Sequence, residues 1–309
     1  MSQSELLGQI EAKFSAIGQD PAVHLEGLLH AATITYWDYI LPDALLNLQV
    51  QRTQHPDELV FIMYHQINEL LFKMTLWEMD QVSASDQPEP AFFAEKLRRI
   101  SRYFDMLSSS FTIMGEGMEK EQYLKFRTTL TPASGFQSAQ YRRIEFASTD
   151  CHNLVDQRFR SQLGPETNAE ELYEHLYWQA AGKDHKGGEK NTLLREFERR
   201  YKAEFLRDID QRRTGNLYAK FLALPAATRQ DKDLVAAMRH YDYTVNITWV
   251  MAHYRAALQY LGKGRATGGS DWHKYMLPMY QRRIFFPSLW SEEELRDWGV
   301  KESNEALGC

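Results

Sequence analysis

Cysteine is nearly absent: among 309 residues only Cys151 and Cys309 carry a thiol. Their separation gives no C-x-x-C metal spacing, and two reduced cytosolic thiols are the expectation. Long apolar runs are missing as well. None approaches the roughly 18 residues that a membrane span needs, and the opening stretch MSQSELLGQIEAKF is polar and mixed in charge rather than basic and then apolar. A cytoplasmic protein with no membrane contact is expected. Nor does positive charge gather anywhere. The 36 Lys and Arg are scattered among 42 Asp and Glu, for a net charge of -6, so the basic stripe that binds nucleic acid is lacking. A small-molecule role is the better expectation.

What the chain does have is helical periodicity. Apolar residues recur at a period near 3.6, alternating β-branched runs are few, and Pro or Gly punctuates at Gln87-Pro88-Glu89-Pro90, Thr131-Pro132 and Leu224-Pro225. The pattern predicts an all-α protein with helices over Asp57 to Val82, Ala91 to Met114, Lys120 to Leu130, Gly135 to Ser148 and Lys232 to Leu261. A charged helical stretch runs from Glu166 to Leu222, interrupted by an exposed polar loop at Ala181 to Lys190. With 43% hydrophobic residues the chain can bury one large core. The expected architecture is a single-domain helical bundle over residues 1–309 with residues 166–222 inserted and packed on it.

Four constellations carry chemistry. On the last long helix, His253 is flanked at helical spacing by Trp249, Val250, Ala256 and Ala257. A neutral imidazole among small apolar residues suits a metal-macrocycle ligand, and equally a satisfied core histidine. In DELVFIMYHQINELLFKMTLWEMD, Phe61, His65 and Phe72 share a face, an aromatic wall beside one polar tip. Glu69 stands at i+4 from His65, but it also stands at i-4 from Lys73, an ordinary helical ion pair. In EQYLKFRTTL, Tyr123 and Arg127 share a face, and a guanidinium fork grips a carboxylate; pairing of Arg127 with Glu119 or Glu121 is the plainer alternative. Ser134-Gly135-Phe136-Gln137 fits a capping box. The Gly-rich stretch from Gly262 to Ser270 lacks the context of a phosphate loop and reads as either a mobile lid or a surface connector.

The types and order of these segments resemble the tryptophan 2,3-dioxygenase superfamily: H-x-D-E-x-x-F-I-x-x-H-Q at His55 to Gln66, Phe126-Arg127, P-x-S-G-F-Q-S-x-Q-Y-R at Pro132 to Arg142, the histidine helix, and Thr267-Gly268-Gly269-Ser270. Tyr36 and Tyr39 resemble its T-Y-x-x-Y segment. The match runs from about Thr35 to Pro287 and is loose in the middle.

The resemblance implies a homotetrameric helical bundle enclosing a b-type haem. With molecular oxygen as co-substrate, such an enzyme cleaves the indole C2–C3 bond of L-tryptophan to give N-formylkynurenine. His253 would be the proximal iron ligand. His65 would hydrogen-bond the indole N–H, with Phe61 packed on the ring. Arg127 and Tyr123 would take the carboxylate, and Thr267 the ammonium or carboxylate. Ser134 would border the haem. Residues 1–56 would reach a neighbouring subunit, so that Tyr36, Tyr39 and Ile40 complete its pocket.

The sequence departs from the family pattern at Leu71, Ala266, Asp271 and Trp272, which leaves room for another aromatic amino acid or a substituted indole as substrate. A haem sensor without turnover is the alternative of another class, and the Tyr123–Arg127 clamp argues against it.

Overall fold

A computed structural model describes residues 1–127, 138–164, 166–183, 188–261, 273 and 276–308. The described chain is all-α, with only isolated bridges at Val155–Leu176 and Lys183–Lys190 outside its helices and turns. It separates into two compact units, Met1–Val50 and Gln51–Cys309.

The first unit holds helices α1 (Gln3–Ser15), α2 (Pro21–His30), α3 (Tyr36–Ile40) and α4 (Pro42–Leu45). Capping boxes open α1 at Ser2/Glu5 and α3 at Thr35/Asp38, and Asp20 followed by Pro21 opens α2, so the starts are written locally. None of these helices buries a residue. Leu28, Leu29, Ile34, Trp37 and Tyr39 are all more than half exposed.

In the second unit α5 (Asp57–Ser83) and α6 (Pro90–Ser109) pack on each other. With 27 residues, α5 spans about 40 Å. Its start is fixed by Glu58, whose buried carboxylate accepts from the amides of Arg52 (3.0 Å) and Thr53 (2.6 Å) and from the Thr53 hydroxyl. Helix α6 buries Phe93, Leu97, Ile100, Phe104 and Leu107, a stripe at spacings of three and four. The sequence predicts that this helix continues to Met114. Instead it stops at Ser110, and α7 (Phe111–Gly115) begins. The hydroxyls of Ser108, Ser109 and Ser110 each donate to a carbonyl of the preceding turn, and such back-bonding competes with the helix ladder.

Helix α8 (Lys120–Phe126) precedes residues 128–137, which lie outside the described set. Helix α9 (Ala139–Ser148) opens on Ser138, whose hydroxyl accepts from the Tyr141 amide. The expected capping box at Ser134 lies outside the described residues.

The charged stretch is several pieces: after α10 (Gln157–Arg160) come α11 (Ala169–Glu174), a 3-10 turn at Tyr177–Gly182, α12 (Thr192–Arg212) and α13 (Leu217–Ala223). Leu172, Trp178, Leu194, Phe205 and Phe221 join the same core cluster as α5 and α6, with α12 against α9 and α13 against α5.

The predicted helix from Lys232 to Leu261 consists of α14 (Lys232–Tyr243), a π-helical turn over Thr244–Thr248, and α15 (Trp249–Leu261). A π turn holds about one residue more than an α turn, so the face of α15 is rotated by roughly 100° relative to an uninterrupted helix. The turn is braced at its start by the buried Asp242. This carboxylate accepts from Asn246 Nδ2 (2.8 Å), the amides of Phe285 (2.9 Å) and Phe286 (3.0 Å), and Trp290 Nε1 (2.9 Å). Short helices α16 (Pro278–Gln281), α17 (Glu292–Arg296) and α18 (Val300–Leu307) complete the unit. Leu277 and Trp298 pack with Ile247, Met251 and Tyr254 of the histidine helix region.

Candidate functional site

The site forms where α5, α7, α8 and α15 converge on an apolar cluster of Tyr64, Phe111, Met114, Met118, Ala256 and Tyr260, with Phe61, Tyr123, Trp249 and Ala252 packed against it. Two histidines face this cluster from different helices.

His253 lies on the α15 face that also carries Trp249, Ala256 and Tyr260, at spacings of four, three and seven. Its ring stacks on Phe111, with centroids 5.1 Å apart and planes within 9°, and lies 6.1 Å from the Trp249 ring. Burial first, then the charges of His65 and Arg283, lower its pKa from the ordinary 6.5 to about 4. The imidazole is therefore neutral near pH 7, as a metal ligand must be.

His65 is on α5. Its Nδ1 donates to the Phe61 carbonyl at 2.8 Å, which fixes the tautomer and leaves a lone pair on Nε2. His65 keeps exposed surface, and desolvation by the side chains around it is the main cause of its lowered pKa, with the Phe61 bond and the Glu69 charge opposing. Phe61 lies against His65 at 4.1 Å between centroids, and Phe126 meets Phe61 edge-on at 5.5 Å. Tyr123 is 6.2 Å from Phe61 and 4.4 Å from Tyr260. The Tyr260 hydroxyl donates to the Met114 carbonyl, tying α15 to α7. The Arg127 guanidinium carbon sits 5.7 Å from the Tyr123 ring centroid, the same-face relation expected from the sequence and a cation–π distance.

Tyr64, 6.1 Å from Phe111 and 5.3 Å from His65 between ring centroids, joins the two halves, so that Phe61, His65, Tyr123, Arg127 and His253 are linked through one chain of ring contacts. Ser134 and Thr267 lie outside the described residues, as do Ala266, Asp271 and Trp272. Tyr36, Tyr39 and Ile40 belong to the N-terminal unit and are exposed. Leu71, one of the departures from the family pattern that left room for another substrate, is buried in the main core with Phe72 and Tyr141. Glu69 accepts from Gln140 Nε2 at 2.8 Å, joining α5 to α9, and no ion pair to Lys73 forms among the described residues.

Sequence reasoning missed Tyr260 and Phe111 among the site residues. Tyr260 stands at i+7 from His253, a spacing that would have found it. Phe111 reaches His253 only because the serine run ends α6 just before it.

The walls fit a flat apolar cofactor that carries acids at its edge. Rings and small side chains supply the apolar part, a neutral imidazole supplies the ligand, and the buried Trp249 Nε1 has no hydrogen-bond partner among the described residues. A buried donor without an acceptor is costly, and a carboxylate would satisfy it.

The family model for tryptophan 2,3-dioxygenase matches residues 24–180. A tryptophan 2,3-dioxygenase of Bacillus thuringiensis subsp. konkukian is 29% identical over 272 residues, covering 84% of this chain and 91% of the relative. One from a Ruegeria species is 28% identical over 279 residues, covering 84% and 92%. One from a Bradyrhizobium species is 34% identical over 160 residues, covering 51% and 54%. With half its length matched by the family model and most of it aligned to these relatives, the chain belongs to the tryptophan 2,3-dioxygenase family.

Proposed function

We propose that this chain is a haem-dependent dioxygenase that cleaves the C2–C3 bond of the L-tryptophan indole to give N-formylkynurenine. The observation that carries the reading is the pair of neutral histidines, His65 and His253, facing one aromatic cluster from separate helices. Family membership and the relatives' names support the enzyme class and the substrate.

His253 would hold a b-type haem, with Trp249 Nε1 as a donor for its carboxylates. The bound haem supplies the activation of molecular oxygen. The chain's own part is binding and orientation. With Nδ1 engaged by the Phe61 carbonyl, His65 presents Nε2 as an acceptor for the indole N–H. Phe61, with Phe126 edge-on to it, would pack on the indole ring. Arg127, steadied over Tyr123, would take the substrate carboxylate. Thr267 and Ser134 are assigned from the sequence pattern alone, to the substrate's charged end and to the haem border.

The N-terminal unit, which exposes Tyr36, Tyr39 and Ile40 and buries nothing of its own, would be covered in a homotetramer and complete a neighbour's pocket. No described helix is long and apolar enough to cross a membrane, and a cytoplasmic location is part of the same proposal.

The test is aerobic turnover of haem-loaded, reduced protein with L-tryptophan, following N-formylkynurenine by absorbance and mass. Ring-cleaved product, formed at a rate that falls in Arg127→Ala, is expected. A ferrous, haem-replete sample that leaves tryptophan intact would overturn the substrate assignment.

A further inference from the structure

Behind the site lies a group of buried charges that the proposed reaction does not use. Arg142 and Glu145 come from α9, Tyr177 from the 3-10 turn, and Arg283 from the segment after α16. Glu145 Oε1 accepts from Arg283 Nη1 at 2.8 Å and from the Tyr177 hydroxyl, and Oε2 lies 2.8 Å from Arg142 Nη1. Arg283 Nη1 also donates to the hydroxyls of Tyr141 and Tyr177, each at 2.7 Å. Glu145 has no exposed surface, and each arginine exposes 4%.

Burial pushes the phenols of Tyr141 and Tyr177 up, so both stay neutral. Two guanidiniums and one carboxylate leave one net positive charge. The other buried carboxyl nearby, Asp242, stands outside this hydrogen-bonded group, engaged by Asn246, Trp290 and the amides of Phe285 and Phe286, and burial raises its pKa and so works against its negative charge. Replacing such a cluster by apolar residues is often neutral or stabilising, so stability alone is a weak reason for it.

The cluster touches the site through two rings. Arg283 is bonded to the Tyr141 hydroxyl, the Tyr141 and Trp249 ring centroids are 4.7 Å apart, and Trp249 stands one helical turn before His253 with rings 6.1 Å apart. Tyr141 is buried and Trp249 is partly buried against it, so the field along this path is screened less than it would be in water. We propose that the Arg142–Glu145–Arg283 cluster sets the reduction potential of the haem held by His253, its net positive charge favouring the ferrous form. Reduction brings one electron to the iron and lowers the local charge by one, so a fixed positive charge nearby makes it easier. Arg142, Glu145 and Arg283 are positioning residues in this account, acting through Tyr141 and Trp249.

The inference rests on the haem reading, and the test separates the two. The full chain, loaded with haem, is titrated anaerobically by spectroelectrochemistry. Arg283→Met should lower the reduction equilibrium about tenfold, which is about 59 mV for one electron. Arg283→Lys, which keeps the charge, should stay within about threefold of the parent. Glu145→Gln should move the potential the opposite way, and the double variant Arg283→Met/Glu145→Gln should return towards the parent value. A merely structural role would move both single variants in the same direction; that result, or no movement in protein whose spectrum still reports His253 ligation, overturns the inference. Should Arg283→Met fail to fold, the rise in Glu145→Gln and the constancy of Arg283→Lys decide. A parent that takes up no haem overturns the cofactor reading and this inference with it.

Discussion

The imidazole of His253 lies flat on the ring of Phe111, 5.1 Å between centroids and within 9° of parallel. Phe111 belongs to the short helix that the Ser108–Ser110 run separates from α6, so a break in one helix sets the ring orientation on another. Phe111→Ala should cost about 3 kcal/mol of stability and speed haem loss from an intact His253 site. Denaturant melts of the apoprotein and haem transfer to apomyoglobin check both, and unchanged haem retention would rule out the orienting role.

His253→Ala should remove most haem occupancy while the helical far-ultraviolet signal persists. Full occupancy with an unchanged Soret band would show that another residue is the ligand.

Arg127→Ala should weaken substrate binding by about 1.5 to 3 kcal/mol, the range for hydrogen bonds to charged groups, with haem content intact. Arg127→Lys should recover only part, since a lysine keeps the charge and loses the planar fork. A substrate constant unmoved in both would place the carboxylate elsewhere.

His65→Ala should lose about 0.5 to 1.5 kcal/mol of affinity and, with it, the preference for tryptophan over its N1-methyl analogue. If the parent already ignores the methyl group, the indole N–H is not held by His65.

Low pH should destabilise the apoprotein through His253. Its pKa in the fold is near 4 against an ordinary 6.5, so between those values the unfolded chain binds a proton that the folded chain does not. Stability from this group is full above pH 6.5 and is lost progressively as the pH falls towards 4. Chemical melts across pH 4–7 should show that slope, and His253→Ala should flatten it.

Much of the fold and site was legible in the sequence because it is local. The α5 boundaries follow from apolar periodicity and the acidic first turn, and the same-face relation of Tyr123 and Arg127 follows from a spacing of four. What escaped depends on competition or on distance. The stop at Ser110 comes from three hydroxyls reaching back to carbonyls, which periodicity does not register. The first four helices escape a reading of periodicity because they carry no buried stripe of their own. The pairing of Glu69 with Gln140 rather than Lys73 needs α9 in place, and the Arg142–Glu145–Arg283 group joins residues more than a hundred positions apart.

The π turn at Thr244–Thr248 has a consequence for how this helix tolerates change. Because that extra residue is what turns Trp249, His253, Ala256 and Tyr260 towards the site, the segment acts as a length gauge between Asp242 and the iron ligand. Substitutions within it that respect burial should be absorbed, whereas losing or gaining a single residue would swing the whole downstream face out of phase. Chain length over those five positions is then under tighter constraint than their identity.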